Sequence, residues 1–219
     1  MSFLDSLRLA IVFGLSLFLV LLRFDSERIM RSDYFRYRSP WLGPASYYTF
    51  AIVFALGIAF ILQEREQLFL TGGDPDTVVP VSLLFTAIAL LNAIGLAFLR
   101  FGGVMPLPTR LLPVRTLGAA ANAVAEELQF RSVVLGLLLF AGFDPVLALL
   151  IQAFLFGIAH RRLWRDRDYY FLIGSVLLGY GAGLATLASG SVVPAIVGHF
   201  AVSMSLFAFA GGRLRQRPI

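Results

Sequence analysis

Cysteine is absent from the 219 residues, which excludes disulfides and all thiolate chemistry. Lysine is absent as well, so all 18 basic residues are Arg, a bias that carries no mechanism by itself. Charge of either sign is scarce, at 14% of the chain against roughly 25% in an ordinary soluble domain. Set beside 58% hydrophobic residues and a mean hydropathy of +0.82, that deficit points to a polytopic membrane protein with one membrane-embedded domain. There is no P-loop, Ser-x-x-Lys pair or HExxH motif. The net charge of +5 resides in arginines between apolar runs. Cytoplasmic loops facing anionic lipid account for it better than nucleic acid does. The expected partners are therefore membrane lipids, with no nucleic acid.

What is present is a series of apolar runs near the roughly 20 residues a helix needs to cross a bilayer. They cover about 3–22, 47–62, 78–99, 117–143, 145–160, 169–188 and 192–210. The first reads as an uncleaved anchor ending in "VLLRFDSER". Arginines in the intervening segments alternate: five in 23–46, one in 63–77, three in 100–116, none at Asp144, four in 161–168, none at 189–190 and three in the tail. By the positive-inside rule this predicts an all-α bundle of about seven spans, with the N-terminus outside and the C-terminus inside. "DSERIMRSDYFRYRSP" (25–40) reads as an interfacial amphipathic segment. Gly179 and Gly183 form a small-x-x-x-small pair that lets two helices approach closely.

Ionisable groups inside spans are costly and commonly functional. From the third span onward they are Glu126, Glu127, Arg131, His160 and His199, the last two being the only histidines in the chain. Glu127 and Arg131 stand at i,i+4 in the favourable order for an ion pair. Glu126 lies about 100° round the helix, beside Asn122 and Gln129 but with no counter-charge on its own helix. One glutamate reads as structural and the other as a general base or acid. Gln152, Phe156 and His160 make a stripe at intervals of four, and His199 and Ser203 share one face of the last span. The plainer readings are a helix clip for "EELQFR", an interfacial His160 beside Arg161, and a satisfied core His199. They weaken together, because three separate helices each present such a group.

"EELQFR" (126–131) resembles the E-E-x-x-x-R motif of the CPBP family, the CAAX-protease and bacteriocin-processing intramembrane proteases. "FGIAH" (156–160) is similar to its F-x-x-x-H motif. "HFAVS" (199–203) is similar to its H-x-x-x-N motif, with Ser203 where the family usually has Asn. Glu127 and His160 are 33 residues apart, His160 and His199 a further 39. The resemblance divides the chain into N-terminal helices and loops (1–116), a protease-type core (117–205) and the end of the last span with its basic tail (206–219). It implies an intramembrane endopeptidase of a bacterial or archaeal inner membrane, acting on a membrane-associated or C-terminally processed protein or peptide. Glu126 with His160 would activate a water, and His199 with Ser203 would stabilise the oxyanion. Glu127 and Arg131 would hold the geometry. A zinc version makes Glu126, His160 and His199 metal ligands; without zinc no cofactor is implied.

Two rivals belong to other classes: a small transporter with buried charges, and a non-proteolytic immunity or scaffold protein, which Ser203 in place of Asn encourages. One geometric difficulty precedes any structure. On these boundaries Glu126 lies about 16 Å below Arg115, whereas His160 abuts a loop, so the motifs meet only if helix ends are displaced.

Overall fold

The computed structural model describes residues 3–32, 42–62, 66–102, 112–160 and 168–209. All regular structure among them is helical. In chain order the helices are α1 (Phe3–Phe24), α2 (Ser26–Met30), α3 (Leu42–Leu62), α4 (Pro75–Phe101) and α5 (Leu112–Glu127). A π-helical segment (Leu128–Leu135) follows, then α6 (Gly136–Phe140), α7 (Pro145–Ala159), α8 (Tyr169–Ser189) and α9 (Val193–Phe209). The all-helical membrane architecture is borne out.

Local sequence explains several boundaries. Asp74 caps α4 by accepting from the Asp76 amide, and Pro75 fills the first turn, where no amide hydrogen is needed. Asp144 caps α7 in the same way, accepting from the Val146 and Leu147 amides ahead of Pro145. Glycine in the left-handed region ends α4 at Gly102 and α8 at Gly190.

Among the described residues four helices are long and apolar enough to cross a membrane: α1 from Ser6, α3, α4 as far as Leu99, and α8. Helices α7 and α9 are apolar but shorter. The fourth apolar run divides into α5, the π segment and α6, so helix length alone does not establish a count of seven. Much of the arginine alternation on which the orientation rests, namely Arg36, Arg38, Arg65, Arg110, Arg161, Arg162, Arg165, Arg167 and the tail, lies outside the described residues. So does most of the amphipathic segment at 25–40, of which Ser26–Met30 is helical.

Two apolar cores flank the π segment. One gathers Val12 and Leu19 of α1, Ala51 and Ile58 of α3, and Leu128 and Val133 of the π segment. The other gathers Phe85 and Ala89 of α4, Phe130 and Val134 of the π segment, Phe156 of α7, Ala182 of α8 and Val202 of α9. The π segment is thus shared, sending Leu128 and Val133 to one side and Phe130 and Val134 to the other, and all eight of its residues are buried. Close approach of α7 and α8 uses the small pair read from the sequence. A Cβ on Gly179 would stand 3.3 Å from Ala153 Cα, and one on Gly183 would stand 2.6 Å from Gln152 Nε2. Outward faces are apolar, as at Leu83, Leu84 and Leu91 of α4, which suits lipid contact rather than water.

Candidate active site

Glu126 and Glu127 end α5, immediately before the π segment, and both are buried, as is Arg131. The pair expected at i,i+4 is formed: Arg131 Nε lies 2.9 Å from Glu127 Oε2. Arg131 also donates from Nη2 to the Gly179 carbonyl at 3.3 Å, and its guanidinium lies 4.3 Å from the centroid of the Phe156 ring. Gln152 Nε2 donates to the same carbonyl at 2.9 Å. These contacts tie the π segment to α7 and α8. Glu127 is not only a partner for Arg131, however. Its other oxygen, Oε1, lies 2.6 Å from His199 Nδ1 on α9.

Glu126 also has a counter-charge, which corrects the sequence expectation. Arg23, in the last turn of α1, donates from Nη2 to Glu126 Oε1 at 2.5 Å. Its Nη1 donates to Ser26 Oγ at 2.8 Å, and both Arg23 and Ser26 are buried. Sequence spacing accounts for the miss: the partners are 103 positions apart, and Arg23 read as the first arginine of a cytoplasmic loop. The charge that flanks an anchor and the charge that enters a site look identical in sequence.

The second oxygen of Glu126 is directed elsewhere. Oε2 has no hydrogen-bond partner among the described residues and lies 3.9 Å from both His160 Nε2 and His199 Nε2. The opposite nitrogen of each ring is committed. His160 Nδ1 is 2.8 Å from the Phe156 carbonyl, which can only accept. His199 Nδ1 faces a carboxylate. Each Nδ1 therefore carries the hydrogen, and in the neutral imidazole Nε2 is left with its lone pair towards Glu126. Phe156 packs edge-on against both rings, at centroid distances of 4.8 Å and 5.9 Å, and fixes their separation.

The depth difficulty read from the run boundaries does not arise in the fold, where the end of α5, the C-cap of α7 and α9 meet. Helix α7 has 15 residues, about 22 Å, against a hydrocarbon thickness of about 30 Å. His160 is its C-cap. The structure brings Glu126, His160 and His199 together. Ser203 lies one turn beyond His199 and is half-buried; among the described residues no side-chain hydrogen bond joins it to the site. Gln129, on the side of Glu126, is buried with neither amide atom hydrogen-bonded among the described residues.

Two histidines and a carboxylate are suitable zinc donors by type. Their placement fits zinc less well. The two 3.9 Å spacings exceed the about 3.4 Å between neighbouring ligands of a tetrahedral zinc ion. Among the described residues no group of three or more His, Asp or Glu is arranged to hold a metal ion. The carboxylates of Glu126 and Glu127 are already matched by the guanidiniums of Arg23 and Arg131, so a dication would leave buried charge uncompensated.

Neither the curated proteins nor the solved structures compared with this chain gave a match. The family resemblance read from the three motifs is borne out, because residues 108–205, which hold all of them, match the family model described as type II CAAX prenyl endopeptidase Rce1-like. In that segment the chain is similar to a family of membrane endopeptidases.

Proposed function

We propose that this integral membrane protein is an intramembrane endopeptidase that hydrolyses a peptide bond with a water activated by Glu126. The observation that carries the reading is Oε2 of Glu126, buried, without a hydrogen-bond partner among the described residues and equally distant from two histidine nitrogens. A separation of 3.9 Å is too long for a direct hydrogen bond and suits a bridging water. In the reaction Oε2 takes a proton from the water as its oxygen bonds to the peptide carbonyl carbon. His160 holds the water through Nε2. His199, in its imidazolium form beside the Glu127 carboxylate, donates from Nε2 to the developing oxyanion, with Ser203 as a further donor. The proton passes to the leaving nitrogen as the C–N bond breaks. Glu127 and Arg131 hold the geometry.

The substrate class is a protein or peptide already held at the membrane: a prenylated C-terminus, a precursor peptide or an anchored sorting tail. The placement is a bacterial or archaeal inner membrane. The first test is comparative membrane proteomics of cells carrying wild type or Glu126→Gln at matched abundance. Wild type should yield C-termini that the variant lacks; identical proteomes would remove the endopeptidase reading. Chelation separates the two chemistries. It should leave the wild-type products unchanged, whereas reversible loss on chelation would favour zinc held by Glu126, His160 and His199. The seven-span topology is proposed on the alternation of arginines. Reporters fused after Arg38 and Arg162 should be cytoplasmic and one at Asp74 extracytoplasmic; reporters at Arg162 and Asp74 on the same side would break it.

A further inference from the structure

We infer that Arg23 is a positioning residue for Glu126, so that the first helix completes a site whose motifs lie on α5 and the π segment, on α7 with its C-cap, and on α9. The inference rests on the endopeptidase reading above and adds to it a residue outside the matched segment 108–205.

Three observations carry it. Arg23 binds only one oxygen of the carboxylate, Oε1, and leaves Oε2 facing the two imidazoles. A carboxylate pinned through one oxygen cannot rotate about its terminal torsion, which is otherwise broad and roughly two-fold. The contact thus sets the plane of the carboxylate and keeps one oxygen free for the water. Arg23 is itself fixed, because Ser26 Oγ on the next helix accepts from its other terminal nitrogen, so the guanidinium is held at both ends of its fork. Finally, Arg23 balances the site: Arg131 is paired with Glu127, and Arg23 is the guanidinium paired with Glu126. The neighbouring titratable groups are Tyr47 and Tyr48 of α3, which lie within electrostatic reach of both partners and supply no positive charge.

An ordinary structural ion pair would predict that losing Arg23 lowers the amount of folded protein and leaves the activity of each folded molecule intact. The positioning role predicts the reverse emphasis. In full-length protein, product C-termini formed per folded molecule should fall about 100-fold in Arg23→Gln, the scale of loss from a slightly misplaced reacting group. Arg23→Lys keeps the charge without the planar fork and should restore activity to within about tenfold of wild type. Should Arg23→Gln accumulate poorly, the double variant Arg23→Gln/Glu126→Gln, which removes the stranded carboxylate, should accumulate better than the single one. Purified thermal midpoints of the two singles and the double give the coupling independently of any substrate. Wild-type product yield in folded Arg23→Gln, with Glu126→Gln inactive, would overturn the positioning role and leave the endopeptidase reading standing. Full activity in Glu126→Gln would overturn both. Additive midpoints would show that the contact is not made.

Discussion

The helices before and after residue 108 solve different problems with the same apolar alphabet. Helix α4 shows the first solution: Leu83, Leu84 and Leu91 point outward, and small residues such as Ala89 and Ala93 point inward. Its role is to form a wall, and α9 packs along it with Gly198 against the Phe85 ring. From Ala123 to Leu137 the second solution applies. Every residue there but Val124 is buried, and the run includes two carboxylates, a guanidinium, an amide and a hydroxyl. The lesson is that burial here is not a measure of hydrophobicity. The wall is apolar because it meets lipid, and the interior is polar because it has partners inside. Arg23 belongs by sequence to the first region and by contact to the second.

That contrast can be broken most forcefully at Glu127. Glu127→Gln strands Arg131 without its counter-charge and releases His199, so a loss of about 3–5 kcal/mol is expected, seen as low abundance and a depressed melting temperature. On the outer wall, Leu91→Ala should change stability by only about 0.5 kcal/mol. Equal effects at the two positions would erase the distinction between wall and interior. A finer test lies at Ser203. If its hydroxyl serves the oxyanion, Ser203→Ala should lower the rate at unchanged abundance by up to about 100-fold, the scale of one lost donor. Ser203→Asn, the usual residue of the resembled family, should preserve or raise the rate. Wild-type activity in Ser203→Ala would make this position part of the packing, in keeping with the lack of a hydrogen bond from it to the site among the described residues.

Much of this site could be read in advance because its parts are local or follow fixed spacings. Glu127 and Arg131 meet through helical periodicity, and Gly179 with Gly183 marks a close crossing whatever the rest of the chain does. The pairing of motifs on three helices rested on resemblance and needed no distances. Other features had no signal to give. No propensity distinguishes a π segment from an α-helix, so one continuous fourth span was the natural expectation for residues that divide into α5, the π segment and α6. Arg23 illustrates the second limit. A salt bridge across 103 positions leaves no periodicity, and the positive-inside rule already supplied a use for that arginine.

The shortness of α7 has a consequence for what can reach its end. On the proposed reading, a peptide group that meets His160 has left bulk water, and each amide left unpaired by that dehydration costs about 1–3 kcal/mol. A free peptide in solution has nothing to set against the cost. A chain with its own lipid or apolar anchor arrives already partitioned, and each buried methylene of the anchor contributes about 0.8 kcal/mol. On that reading the length of one helix acts as a toll on entry, selecting substrates by how they are tethered before any side chain of theirs is read.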